Sequence, residues 1–135
     1  MISIETTLNA QFYDLDPMGV VWHGHYTRFM EQARCALLDK IGYNYVEMNA
    51  SGYIWPIVDM HIKYVRPIRF HQTFTVTATI AEFANRLKIE YVIRDPASGE
   101  TLTKAYTIQV AVDTQTQELC LESPPALTDK LKAIF

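Results

Sequence analysis

An α+β fold is predicted for this chain, and three features of the sequence predict it. One stretch, from about His25 to Ile41, carries its apolar residues at helical spacing. Most of the chain from Trp55 to Asp113 alternates apolar and polar residues as strands do, with turn residues in between. No repeat, low-complexity segment or Pro/Gly/Ser linker divides the 135 residues, so residues 1–135 read as one domain with a single core.

Taken in order, residues 2–12 alternate weakly, with Ile2, Ile4 and Leu8 on one side, and suggest a first strand. A polar run comes next, YDLDPMGVVWHGH. In the helix, Tyr26, Met30, Ala33, Leu37 and Ile41 form the apolar stripe, Phe29 and Ala36 widen it, and Gly42 stands where a helix stops. Residues 43–55 read as irregular. In WPIVDMHIKYVRPIRF, Val58, Met60, Ile62 and Tyr64 share one strand face, and Asp59, His61 and Lys63 share the other. Phe74, Val76, Ala78 and Ile80 oppose Thr75, Thr77 and Thr79 in the next strand, and Leu87, Ile89, Tyr91 and Ile93 mark a third. DPASGE is a hairpin connection. TLTKAYTIQVAVD reads as one long strand with Leu102, Tyr106, Ile108, Val110 and Val112 on one face, and SPPALTDKLKAIF as a short terminal helix. The layout is an antiparallel sheet of about five strands with one face on the helix. One helix leaves apolar surface such as Val92 and Ile57 uncovered, which favours dimerisation.

Composition narrows the function classes. A net charge of −3 and a pI near 5.7 give no electrostatic case for nucleic acid. No apolar run reaches membrane-spanning length and the N-terminal residues do not resemble a signal peptide, so a cytoplasmic protein is expected. Cys35 and Cys120 form no CxxC pair and no metal-ligand spacing, and read as reduced thiols. Asp14, Asp16, His23 and His25 are of ligand type, but histidines two residues apart at a helix start diverge and no further cluster joins them, so no metal is expected.

The run from Tyr13 to Arg34 resembles the 4-hydroxybenzoyl-CoA thioesterase family of the hotdog fold, in its acyl-CoA thioesterase branch. That family carries D-x-D-x-x-G-[VI]-[VL]-x-H-x-x-Y ahead of a helix bearing E-x-A-R. The match here is Asp14, Asp16, Gly19, Val20, Val21, His23 and Tyr26, then Glu31, Ala33 and Arg34, and KYVRPIRF is similar to the family's later strand signature. His25, two residues after the matching histidine, departs from a common pattern. The resemblance implies a sheet wrapped around a long central helix, subunits joined edge to edge as a homodimer, often paired into a dimer-of-dimers homotetramer, and active sites at the subunit interface. It implies an acyl-CoA substrate whose coenzyme A is part of the substrate, with no separate cofactor.

Thioester hydrolysis needs an activated water or a nucleophile and a stabilised oxyanion, while a thiolate leaves readily. A carboxylate plus a helix N-terminus, whose free N–H groups carry the positive end of the dipole, meets that need. The family's residue is the second aspartate of the pair, which makes Asp16 the expected catalytic carboxylate, as general base or as nucleophile. Asp16-Pro17 also reads as a plain turn opener. His23 is the second expected catalytic residue, through its side chain or its amide. Asp14 is expected to anchor the loop by hydrogen bonds to backbone N–H groups, and Glu31 with Arg34 to form an i,i+3 ion pair. Gly19, Val20, Val21, His25 and Tyr26 are expected to line the substrate site, with Arg66 and Arg69 offered to the coenzyme A phosphates. Tyr26, Tyr43, Tyr45, Tyr53 and Trp55 wall an acyl pocket or pack the core. Two rivals remain at this level: cleavage of thioesters on acyl carrier protein, and a non-catalytic acyl-CoA binding module.

Overall fold

The computed structural model describes residues 2–134. Strand β1 (Ser3–Asn9) leads through the polar run into helix α1 (Tyr26–Lys40), followed by the short α2 (Tyr45–Ala50) and β2 (Tyr53–Ile54). Strands β3 (Ile57–Tyr64), β4 (Thr73–Glu82), β5 (Leu87–Arg94), β6 (Thr101–Gln109) and β7 (Val112–Asp113) precede the terminal α3 (Pro125–Lys132). Five strands form one antiparallel sheet in the order β1-β4-β5-β6-β3, and β2 pairs with β7 in a small second sheet.

The alternation that predicts β4 and β5 is the one observed. Phe74, Val76, Ala78 and Ile80, with Leu87, Ile89, Tyr91 and Ile93, are all buried against α1 or its neighbours in one core. The helix contributes Tyr26, Phe29, Met30, Ala33, Leu37 and Leu38, and packs over β4 and β1. Burying side chains of this size contributes roughly 1.5–3 kcal/mol each, so this helix–sheet layer holds the fold together. Leu127 and Leu131 of α3 complete it.

Three expectations need correction. Residues 43–55 are not irregular: Asn44 caps α2 by accepting from the Tyr45 N–H at 2.7 Å, and β2 comes after it. The long final strand divides into β6 and β7. Tyr106 and Ile108 share a face, but register places it opposite the face that carries Ile89, Tyr91 and Ile93, whereas Leu102 is the extra residue at a register shift between Thr101 and Thr103 and joins the core. Ile89 faces Thr107, Tyr91 faces Ala105 and Ile93 faces Thr103, so β6 turns small and polar residues toward the helix side. Tyr91 requires it: its ring fills the space above Ala105, and its hydroxyl shares a 2.8 Å hydrogen bond with Thr107. On that face the β6 residues Thr103, Ala105 and Thr107 are buried, and exposure is concentrated on edge strand β3. Val58, Met60 and Tyr64 on edge strand β3 are exposed, while Ile57 and Val92 are half-buried.

Candidate active site

The polar run folds into a compact loop braced from within. Asp14, only 1% exposed, accepts the Gln11 N–H at 2.9 Å and pairs with Arg28 of α1, while its carbonyl accepts the Trp22 N–H at 2.9 Å. Asp14 therefore ties the two ends of the loop to the helix, as an anchoring aspartate does. Between them the chain reverses at Asp16–Val20. The Asp16 N–H donates to the Val20 carbonyl (2.8 Å), Gly19 N–H returns to the Asp16 carbonyl (3.0 Å), and Gly19 takes φ of +78°, where a side chain would be strained. One carboxylate oxygen of Asp16, Oδ1, accepts from the Met18 N–H at 2.8 Å and the Val20 N–H at 3.4 Å. This fixes the carboxylate plane. Its other oxygen accepts no hydrogen bond among the described residues.

The chain then enters α1 through a single 3-10 turn, His23–His25. The carbonyls of that turn are answered: Tyr64 Oη donates to the His23 carbonyl at 2.8 Å, and Thr27 Oγ1 to that of Gly24 at 3.2 Å. Its leading amides, on His23 and Gly24, are not. They have no partner among the described residues, and no side chain caps either helical segment. Trp22 folds back over Gly24 so closely that an added Cβ would lie 2.3 Å from the indole ring. Glycine is needed there for space.

Asp16, Val20, Val21, His23, Tyr26 and Arg66 line one cleft of about 260 Å³, together with Met18, Tyr64, Val65 and Pro67. Of the other residues singled out in the sequence, Gly19 shapes the turn, His25 packs edge-on against Trp22 with ring centroids 5.3 Å apart, and Arg69 pairs through its backbone with Val20. None of these three lines the cleft. Arg66 sits at its rim, 3.4 Å from Glu100, with both side chains exposed. Sequence reasoning misses Tyr64, whose ring packs edge-on against Tyr26 at 4.8 Å. Its place at the end of β3, within the KYVRPIRF signature, is the signal that points there. Burial raises the Tyr26 phenol pKa, against an opposing pull from the Ile68 backbone, and burial also raises that of Tyr64. Both rings stay neutral through the physiological range and act as donors.

The comparison with protein families decides the kinship: residues 10–134 match the model described as the thioesterase-like superfamily. The chain belongs to that superfamily. Among its relatives is YneP of Bacillus subtilis, which carries a provisional acyl-CoA thioesterase name and is 32% identical over 107 residues, covering 78% of this chain and 77% of YneP. The DHNA-CoA thioesterase of Staphylococcus aureus superposes with a TM-score of 0.84 at 25% identity, over 99% of this chain and 91% of that one. A 4-hydroxybenzoyl CoA thioesterase complexed with 4-hydroxybenzoyl CoA gives 0.82 over 98% of both chains; at 21% identity this shows the shared hotdog fold. No helix among the described residues is long and apolar enough to cross a membrane.

Proposed function

We propose that this member of the superfamily is an acyl-CoA thioesterase working in the cleft between the Asp16 turn and the His23 turn. One observation carries the reading: a carboxylate with one oxygen tethered and one free shares a cleft with His23, whose unpaired amide opens the turn leading into a 15-residue helix. The thioester carbonyl oxygen would lie against the His23 and Gly24 amides, which stabilise negative charge as it develops. Asp16 would take the proton of an attacking water, and the tetrahedral adduct would collapse with loss of coenzyme A thiolate, which then takes up that proton. Alternatively the free oxygen attacks the thioester carbon directly and expels coenzyme A thiolate, giving an acyl-aspartyl anhydride that water opens to the free acid and the Asp16 carboxylate, with the released proton going to the thiolate. Tyr64, by holding the His23 carbonyl, would keep the turn aimed at the cleft.

In this reading coenzyme A is part of the substrate and no separate cofactor takes part. The expected edge-to-edge dimer has a ready surface in β3, an open edge with Val58 and Met60 exposed. A thiol-release assay across short, long and aromatic acyl-CoAs tests the activity, and the same panel on acyl carrier protein tests the carrier. Free thiol from at least one acyl-CoA is expected, while tight binding without release would mean a binding module instead. Label from H₂¹⁸O found in Asp16 after a single turnover would establish the anhydride route opened at the aspartyl carbonyl, because general-base hydrolysis delivers the label only to the product acid.

A further inference from the structure

Two features of the molecule lie outside the chemistry of the cleft. One is a larger cavity, about 560 Å³ between the second half of α1, α2 and the segment from Tyr53 to Pro56, with Trp55 in its wall. The other is a patch of bare apolar side chains beside the Asp16 cleft. Phe12, Tyr13 and Met18 are 75–79% exposed, and Val65 and Phe70 are exposed with them. They come from two loops bonded side by side. Ala10 N–H donates to the Gln72 carbonyl at 3.0 Å, His71 N–H to the Ala10 carbonyl at 3.1 Å, and Val21 N–H to the Ile68 carbonyl at 2.8 Å. The Phe12 and Phe70 rings meet edge-on across the seam, 6.0 Å apart. Met18, Val65, Arg66 and Pro67 also line the cleft, so the patch borders its mouth.

An exposed apolar patch of this kind marks a place where something docks. Charge narrows the choice. Both carboxylates of the first loop turn inward: Asp14 is buried against Arg28 and the Gln11 N–H, and Asp16 is held by the Met18 N–H. The charged side chains left exposed on the two loops are Arg66, with Glu100 3.4 Å away, and Arg69, which has no ion pair among the described residues. The chain as a whole is acidic, at −3, so this cationic edge is local. Shape narrows it further. Met18 occupies the corner of a turn closed by Gly19 N–H on the Asp16 carbonyl, and Phe12 and Tyr13 lie on a 3-10 turn, so all three protrude. A protein partner must supply a recess for each, whereas fluid lipid takes them as they are. A second copy meeting this face with its own would set one cationic edge against another.

We propose that this patch is an interfacial docking surface that seats the protein on an anionic lipid bilayer. The tips of Phe12, Met18 and Phe70 enter the boundary between headgroups and acyl chains, and Arg69 lies against lipid phosphates. The cleft mouth then opens toward the lipid. Docking stands whether or not the Asp16 cleft hydrolyses thioesters.

The test is flotation of the full chain with vesicles of phosphatidylcholine alone and of phosphatidylcholine mixed with phosphatidylglycerol. Flotation with the mixed vesicles is expected. Phe12→Ser combined with Phe70→Ser should weaken it by at least about tenfold, because two apolar side chains no longer leave water. Arg69→Gln should weaken it by about fivefold on the mixed vesicles, less in added salt, and change little on the neutral ones. These positions are exposed, so each variant should keep the parent Tm. Leu121→Ser, at a site 84% exposed and outside both loops, should float as the parent does. No flotation with the mixed vesicles, an equal loss from Leu121→Ser, or binding indifferent to the double substitution would each overturn the proposal. So would a mass in analytical ultracentrifugation that falls in the double variant while vesicles are ignored, the mark of a second copy on this face.

Discussion

The two ends of α1 are finished in opposite ways. At the C-terminal end every available device closes the helix. Ile41 N–H reaches the Leu37 carbonyl, Gly42 N–H the Asp39 carbonyl, Tyr43 N–H the Leu38 carbonyl, and Asn44 Nδ2 the Cys35 carbonyl, all at 3.0–3.2 Å. Lys130 Nζ then crosses from α3 to the Gly42 carbonyl at 2.8 Å, placing a cation at the negative end of the dipole. At the N-terminal end there is no capping side chain, although the Asp16 loop, rich in acceptors, runs close by. A fold that seals one terminus so fully and leaves the other open gives up about 1 kcal/mol of capping stabilisation at the place where an anionic group is most welcome.

That contrast can be broken from the open end first. Asp16→Asn should keep the fold and lower kcat by about 10²–10⁴-fold on the best acyl-CoA, the range for a positioned acid–base group; near-full turnover would remove Asp16 from the chemistry. His23→Ala should cost less, since its amide survives the side-chain loss. Gly24→Ala should force Trp22, 47% exposed and free to swing outward, off the turn. A loss of about tenfold in kcat/KM with little change in Tm is expected, since small displacements of a positioning element are costly. At the sealed end the signs reverse. Gly42→Ala, at φ +71°, should cost about 1 kcal/mol in urea unfolding and leave kcat alone. Lys130→Met should cost only about 0.3–1 kcal/mol, shrinking with added salt, because the contact is exposed. Rate losses of similar size from both ends would mean that the ends differ in stability alone.

How much of the molecule is legible in the sequence depends on how locally it is written. β4, β5 and α1 declare themselves because each buries a face its own periodicity sets. The cleft is half legible: Asp16, Val20, Val21, His23 and Tyr26 lie within one run, and a loop that short must keep them close. Tyr64, Val65 and Pro67 come to it from the end of β3, about forty residues later, by a pairing that no local pattern encodes. The face of β6 is misread for a related reason. Hydrophobicity favours Tyr106 and Ile108, but parity in a strand is fixed by its neighbour's register, and the bulky Tyr91 selects small partners, while a register shift returns Leu102 to the core. Helix α2 escapes detection because Tyr45, Val46 and Asn49 face outward, leaving Met48 as its buried anchor and no stripe to read.

Trp22 and Trp55 are the two tryptophans of the chain; Trp22 lies beside the Asp16 cleft through its contact with His23, and Trp55 belongs to the larger cavity. The first lies between the rings of His23 and His25, both at 5.3 Å, and the second lines the larger cavity while donating to Tyr43 Oη at 3.1 Å. Trp22 is 47% exposed and packs on His23, so its emission senses what enters or leaves the helix mouth. Trp55, shielded from bulk water, emits independently of it. Single-tryptophan versions of the chain would therefore give each hollow its own colour channel, with no dye attached.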